Sequence, residues 1–287
     1  MEQQYILKNK KDFNSKHIFD CGQCFRWNLQ ENGNYIGVFG KTVLEVVEKE
    51  NEVIFKGISN KDFKEEINKY FNLELNYTEL KNTLSKIDEF LKTSIEYGNG
   101  IRILKQDLFE TIISFIISAN NNIPRIKKII ENISKTYGEK LQYNGKEYYT
   151  FPTPEQLSKA SVEDLRKLGL GFRDKRVYNT TKIILEKKID IETLKNIEDT
   201  ETIREELLKL DGVGPKVADC ILLFGFNRYE VFPIDVWVRR VMNDLYIKNE
   251  QESKVSKVEI MKLAKEKYGN LAGIAQQYLF YWKREQK

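Results

Sequence analysis

The sequence predicts an α+β protein, mainly helical, in which an N-terminal antiparallel β-sheet domain packs on a helical domain. Before residue 98, short runs rich in β-branched and aromatic residues alternate with turn signals such as Gly33-Asn34. Beyond it, apolar residues recur at helical spacing, and the tight turn Leu210–Pro215 separates two helical patterns. We therefore expect two domains, residues 1–98 and 99–287.

The expected elements follow from local signals. Apolar runs between turns predict strands, and apolar spacing with capping residues predicts helices. The strands are expected at 24–28, 35–39, 42–48 and 52–56, and a loop or small hairpin at 141–151. The helices are expected at 62–70, 77–91, 107–119, 124–136, 154–159, 162–168, 173–187, 200–209, 216 onward, 236–246, 256–268 and 270–285.

The composition bounds the class of protein. With 287 residues, 41% hydrophobic and 31% charged, the chain predicts a soluble globular protein with ample core. The net charge of +4 permits a basic face but does not require one. No signal peptide precedes the first strand, and no apolar run reaches membrane-spanning length. We expect a cytoplasmic protein without a membrane partner.

The cysteines are sparse. Cys21, Cys24 and Cys220 form an odd set, which argues against a disulfide framework and fits a reducing compartment. Cys21 and Cys24 form a C-x-x-C pair, but His17 is the single histidine and no second cysteine pair follows. We therefore expect no metal site there.

The hairpin stretch 207–240 carries the densest set of chemical signals. Gly212 and Gly214, one residue apart, are expected to take positive φ and to expose amide N–H groups, which beside a helix N-terminus bind a phosphate oxygen. Lys216 and Asp235 bracket that site. The alternative is a glycine-rich turn with a solvated lysine and an aspartate that only caps a helix.

This stretch resembles the helix-hairpin-helix plus Gly/Pro…Asp motif of the DNA base-excision glycosylases. In that superfamily the hairpin grips the DNA backbone, and a lysine at the position of Lys216 marks members that also cleave the strand. Many relatives hold an iron–sulfur cluster with four C-terminal cysteines, which this chain lacks. The resemblance implies no cofactor and no catalytic metal, and a structural ion at the hairpin carbonyls is expected from the superfamily alone.

Further segments narrow the resemblance to the 8-oxoguanine DNA glycosylase/lyase family, from about residue 20 to 285. In that family a V-A-D-C run follows the lysine, as at 217–220 here. The other similar segments are CGQCFRW at 21–27, SANNNI at 118–123 with Arg125, LRKLGLGFR at 165–173 and AQQYLF at 275–280.

The resemblance implies the catalytic roles. Lys216 would displace the damaged base and form a Schiff base at the sugar C1′. An amine attacks carbon only when unprotonated, so burial and the positive helix end would have to favour the neutral form. Asp235 would support this step and the later elimination by stabilising positive charge on the sugar. From the residues alone, cap and cap plus catalysis both stay open for Asp235.

Four residues are implied to read the flipped base. Gly22 would offer its carbonyl to N7–H, a proton that guanine lacks, and Gln276 would bind the Watson–Crick edge. Phe280 and Cys220 would cover the two faces, and Gln276 and Phe280 share a helix face at i and i+4. Taken singly, each has a structural alternative: a turn glycine, a core aromatic or a small core cysteine.

The remaining implied residues contact the DNA around the lesion. Asn120, Arg125 and Arg173 resemble residues that hold the orphaned cytosine; the alternative is an Asn helix cap with surface arginines. Phe172 would fill the vacated stack, where better-known members have tyrosine.

The hairpin and the residues after Asp235 complete the implied contacts. The backbone of Gly212, Val213 and Gly214 would grip phosphate. Trp237 stands where a histidine is usual. Tryptophan can stack but cannot make a cationic contact with the DNA backbone.

The expected partner is double-stranded DNA containing 8-oxoguanine, bound by a monomer. One alternative function is a related glycosylase/lyase for other lesions or abasic sites. The other is a non-enzymatic helix-hairpin-helix DNA-binding protein. Lys216 discriminates against the second, because a pure binder needs no nucleophilic lysine beside an aspartate.

Overall fold

An antiparallel sheet forms the N-terminal part of the computed structural model, which describes residues 2–8 and 10–286. Its strands are Gln3–Lys8 (β1), Trp27–Leu29 (β2), Tyr35–Phe39 (β3), Thr42–Glu48 (β4) and Glu52–Ile58 (β5). They lie in the order β1-β5-β4-β3-β2. The four expected strands are present, although β2 begins later than expected. The edge strand β1 was not predicted.

Helices make up the rest, with one small hairpin, Lys140–Tyr143 (β6) and Lys146–Tyr149 (β7), at the expected place. The helices are Ser15–Phe19 (α1), Phe63–Tyr70 (α2), Tyr77–Ser85 (α3), Glu89–Tyr97 (α4), Leu108–Ser118 (α5), Ile123–Tyr137 (α6), Pro154–Leu157 (α7), Val162–Leu165 (α8), Asp174–Leu185 (α9), Ile191–Leu194 (α10), Thr200–Leu208 (α11), Pro215–Gly225 (α12), Val236–Met242 (α13), Lys257–Tyr268 (α14) and Ala272–Glu285 (α15). Short irregular turns adjoin helices at Arg166–Leu170, Gly171–Arg173, Asn243–Ile247 and Gly269–Leu271, and a separate turn lies at Glu252–Lys254.

One expected helix is wrong as a single element. The 77–91 helix is two helices, α3 and α4, because Asp88 caps α4 by accepting a hydrogen bond from the Leu91 N–H at 2.9 Å. Two of the expected helices begin with capping boxes: Thr153 with Gln156 begins α7, and Ser161 with Asp164 begins α8.

Two large cores lie beneath these elements. The sheet packs its inner face on an aromatic core in which the rings of Phe19 and Trp27 stack at 3.9 Å. The helical core surrounds α5, which is buried on most sides. Leu84 and Leu91, from α3 and α4, belong to this helical core, so the boundary at residue 98 stays a prediction. Within the described residues, no helix combines the length and the apolar character that crossing a membrane requires.

Candidate active site

The hairpin between α11 and α12 forms one side of the candidate site. Gly212 has φ of 86°, and a Cβ there would lie 2.9 Å from Arg176 and 3.1 Å from Ile116, so the turn requires glycine. The expected positive φ is wrong for Gly214, whose φ of −95° is open to any residue. Gly214 is exposed and begins α12 without a side-chain cap, which leaves the first amide N–H groups of the helix for an anion.

Side chains from neighbouring helices hold the hairpin in place. From α9, Thr180 donates a hydrogen bond to the Asp211 carbonyl at 2.8 Å, and Asn179 donates to the Asp211 carboxylate at 2.7 Å. Arg204 of α11 forms an ion pair with the buried Asp219 of α12. The hairpin is therefore fixed to the helix that follows Phe172.

Val213 differs from the two glycines beside it. Its side chain is buried, and its N–H donates to the Leu210 carbonyl at 3.1 Å within the turn. Val213 thus shapes the hairpin, and its contact with DNA stays a prediction.

Lys216 lies in the first turn of α12, half-buried against an aromatic side chain that the sequence interpretation missed. Its Nζ is 5.5 Å from the ring centroid of Phe115 in α5, and that ring stacks on Phe224 at 5.4 Å. Phe115 is 3% exposed, so it gives the lysine a rigid apolar wall. Nothing in the local sequence joins Phe115 to Lys216, since the contact depends on how α5 packs against α12.

Cys220 and Asp235 lie beside Lys216. Burial raises the pKa of the Cys220 thiol; the charge of Lys216 and its hydrogen bond to the sulfur lower it in part, and Asp235 raises it further. Asp235 also caps α13, accepting from the Val238 N–H at 2.8 Å. Asp235 therefore does cap the helix, and its charge also acts on the Cys220 thiol that Lys216 hydrogen-bonds. Their catalytic roles stay a prediction.

Gly22 and Phe280 lie next to each other. Gly22 has φ of 89°, in the left-handed region, and a Cβ there would lie 3.8 Å from Phe280 Cε1 and 3.6 Å from Arg284 Nη1. The neighbouring Gln23 is fully buried and donates to the carbonyls of Ile18 at 2.9 Å and Arg102 at 2.7 Å. These bonds hold the backbone on which the Gly22 carbonyl depends.

Gln276 is buried, and it lies one helical turn before Phe280 on α15. Its Oε1 accepts a hydrogen bond from Nε2 of Gln277 at 2.7 Å. Gln277 is also buried, and its own Oε1 has no partner among the described residues. The sequence interpretation missed Gln277, which orients the Gln276 amide.

Phe172 and Arg173 occupy one turn but differ sharply in exposure. Phe172 is 57% exposed, and the guanidinium carbon of Arg173 lies 4.1 Å from its ring centroid. Arg173 is 1% exposed and donates to the carbonyls of Ala119, Asn120 and Leu170, so it is not a surface arginine. Its direct contact with a base stays a prediction.

Asn120, Arg125 and Trp237 are accessible. Asn120 is exposed at φ of 52°, and Asn122, not Asn120, caps α6. Arg125 is exposed and donates to the Gly169 carbonyl at 3.3 Å. Trp237 is half-exposed beneath the guanidinium of Arg240 at 5.8 Å.

The two cysteines of the C-x-x-C pair are buried free thiols. Burial raises the pKa of both, that of Cys21 to about 11. Cys21 donates to the Ile18 carbonyl at 3.3 Å, which makes it part of the core. Across residues 2–8 and 10–286, no group of three or more His, Cys, Asp or Glu side chains could hold a metal ion.

Comparisons with known proteins cover nearly the whole chain. Residues 5–112 match the family model of the 8-oxoguanine DNA glycosylase N-terminal domain, and residues 113–268 match that of the HhH-GPD superfamily base excision DNA repair proteins. The probable N-glycosylase/DNA lyase of Methanothermobacter thermautotrophicus is 35% identical over 78% of this chain and 75% of the relative. The N-glycosylase/DNA lyase of Saccharomyces cerevisiae is 33% identical over 81% and 68%.

Solved structures show the same similarity. The Clostridium acetobutylicum 8-oxoguanine glycosylase/lyase, in complex with double-stranded DNA containing cytosine opposite 8-oxoguanine, superposes with a TM-score of 0.93. It is 45% identical, and the match covers 100% of this chain and 98% of that one. Its apo form gives a TM-score of 0.91 at 46% identity, with 98% of each chain covered.

Proposed function

This chain belongs to the 8-oxoguanine DNA glycosylase/lyase family of the HhH-GPD superfamily, and we propose that it excises 8-oxoguanine from duplex DNA and then cleaves the strand. The observation that carries the proposal is that Lys216, in the first turn of α12 directly after the hairpin, hydrogen-bonds to Cys220, whose thiol also feels the charge of Asp235. A hairpin that only bound DNA would need no such cluster. We propose that one copy of the chain acts alone.

The exposed hairpin and Phe172 support a base-flipping step. Amide N–H groups at the start of α12 would hold a phosphate, and the exposed ring of Phe172 would fill the gap left by the flipped base. Flipping costs a few kcal/mol, which stacking on Phe280 and backbone contacts would offset.

Lys216 would then act as the nucleophile. The lone pair of its neutral amine attacks C1′ while the C1′–N9 bond breaks, and the departing base takes up the proton that the lysine nitrogen gives up. The sugar ring opens as C1′–O4′ breaks, O4′ is protonated from solvent, and a Schiff base forms. The carboxylate of Asp235 stabilises the positive charge on the sugar and the iminium.

Elimination completes the reaction. Loss of a C2′ proton yields an enamine, which expels the 3′ phosphate as the C3′–O3′ bond breaks. Water then hydrolyses the conjugated Schiff base and restores Lys216. The strand is left nicked on the 3′ side of the lesion.

Borohydride trapping tests the proposal, because it reduces the Schiff base to a stable covalent adduct. We expect an adduct on a duplex holding 8-oxoguanine opposite cytosine, and none from Lys216→Gln. Lys92→Gln is the matched control: this exposed lysine of α4 pairs with Glu89 and should leave trapping intact. Unselective duplex binding without any adduct would show a binding protein, and adducts on abasic duplexes alone would show an abasic-site lyase.

A further inference from the structure

The guanidinium of Arg284 lies beside Gly22 and Phe280. Arg284 follows Phe280 by four residues on α15, and its guanidinium carbon is 5.4 Å from the ring centroid of Phe280. Nη2 donates to the Asp20 carbonyl, and Nε and Nη2 donate to Glu285 at 3.3 Å and 3.1 Å. Two neighbours therefore fix the plane of the guanidinium.

Nη1 of Arg284 is buried without a hydrogen-bond partner in the described structure. A buried cationic donor without an acceptor is costly, so an acceptor that arrives from outside would be stabilised there. Nη1 lies 3.6 Å from the Cβ position of Gly22, and Phe280 Cε1 lies 3.8 Å from the same point. The free donor thus borders the space between the Gly22 backbone and the Phe280 ring.

We propose that Arg284 is a base-binding residue whose Nη1 donates a hydrogen bond to a carbonyl oxygen next to N7 of the flipped base. This inference rests on the proposed function. 8-Oxoguanine presents O6, N7–H and O8 along one edge, whereas guanine presents O6, an N7 acceptor and a C–H. An acceptor at the Gly22 carbonyl and a donor at Arg284 match two adjacent groups of the oxidised edge. O8 occurs only in the lesion, and O6 occurs in both bases.

Binding by the full chain in a Lys216→Gln background, which cannot cleave, tests the contact. The probes are duplexes with 8-oxoguanine, guanine or a tetrahydrofuran abasic analogue opposite cytosine. Arg284→Met removes the donors and keeps the aliphatic stem. Because a hydrogen bond from a charged donor is lost, we expect roughly 10- to 100-fold weaker binding of the 8-oxoguanine duplex. Binding of the abasic duplex should be unchanged.

Two further variants separate the contact from charge and folding. Lys283→Met removes the neighbouring positive charge; the Nζ of Lys283 pairs with Asp244 at 2.6 Å. This variant should change the affinity for all three duplexes by the same factor. Arg284→Lys keeps the charge but cannot donate to the Asp20 carbonyl and to the base together, so an intermediate loss confined to base-containing duplexes is expected. Thermal unfolding identifies any variant that fails to fold. If Arg284→Met does not fold, the binding measurements on Arg284→Lys test the contact.

The outcomes are distinct. A lower ratio of 8-oxoguanine to guanine affinity assigns the contact to O8, and an equal loss for both bases assigns it to O6. Equal loss for the abasic duplex as well, or no loss at all, overturns the inference. If the Lys216→Gln chain with Arg284 intact already binds 8-oxoguanine and guanine alike, the proposed function fails instead.

Discussion

Replacing Glu110 by glutamine should change how the stability of this protein depends on pH. Glu110 lies in the first turn of α5, with its side chain 16% exposed. Burial raises the pKa of its carboxyl to about 7; Arg26, whose Nη1 is 4.0 Å away, lowers it in part, and Asp107 raises it. The helix N-terminus favours a carboxylate by only about 0.3–1 kcal/mol, so burial prevails.

The magnitude follows from linkage between protonation and folding. Between pH 4.5 and about 7 the folded protein keeps a proton that the unfolded chain has released, so stability falls as pH rises. The rise in pKa from 4.5 to about 7, at about 1.4 kcal/mol per pH unit, corresponds to about 3 kcal/mol. That loss is complete above pH 7. Glutamine cannot ionise, so the Glu110→Gln protein does not lose this stability as the pH rises.

Urea unfolding at pH 4.5, 6, 7 and 8 measures the effect. The free energy of unfolding of Glu110→Gln, minus that of the unsubstituted chain, should increase by about 3 kcal/mol from pH 4.5 to pH 8. Glu163→Gln is a control for the lost negative charge, since Glu163 is 76% exposed. A difference that stays constant across this range would refute the assignment of a buried, proton-binding carboxyl at Glu110.

Two substitutions test the DNA and base contacts. Phe172→Ala should change the free energy of unfolding by no more than about 0.5 kcal/mol, because the ring is 57% exposed. The same substitution should slow excision in a single-turnover assay. An unchanged excision rate would contradict the role of Phe172 as the wedge. Gln277→Leu removes the 2.7 Å hydrogen bond to Gln276 and should weaken binding of the 8-oxoguanine duplex roughly 2- to 10-fold, as measured by titration. Equal weakening of abasic-duplex binding would contradict its role in orienting Gln276.

Local signals in the sequence were enough to predict most elements. The helix caps at Thr153 and Ser161 and the turn at Gly33-Asn34 involve residues only a few positions apart. They could therefore be predicted without knowledge of the tertiary structure. The edge strand β1 lacks such a signal: Tyr5, Ile6 and Leu7 are consecutive apolar residues, although only alternate ones face the sheet core. The break between α3 and α4 did have one, because Asp88 followed by Glu89 is a helix-start pattern.

Some residues of the site could likewise be predicted from local sequence patterns, and others depend on contacts between distant parts of the chain. Lys216 and Cys220 are four residues apart on α12, and Asp235 follows within twenty residues of Lys216, so patterns in one short stretch were enough to select them. Arg284 could not be found this way, because its unpaired Nη1 depends on the contact of α15 with Asp20, 264 residues earlier. Phe115 was missed for the same reason, since α5 reads as core throughout.

The hydrogen bonds of Arg173 bear on how the opposite base is selected. An arginine has five N–H donors, and Arg173 makes four bonds to the backbone carbonyls of Ala119, Asn120 and Leu170. At 1% exposure it positions the turn of Asn120 and leaves little of its guanidinium for DNA. Arg125 is exposed, with one bond to the Gly169 carbonyl. We therefore expect any preference for cytosine to depend mainly on Arg125 and Asn120, with Arg173 acting through their position.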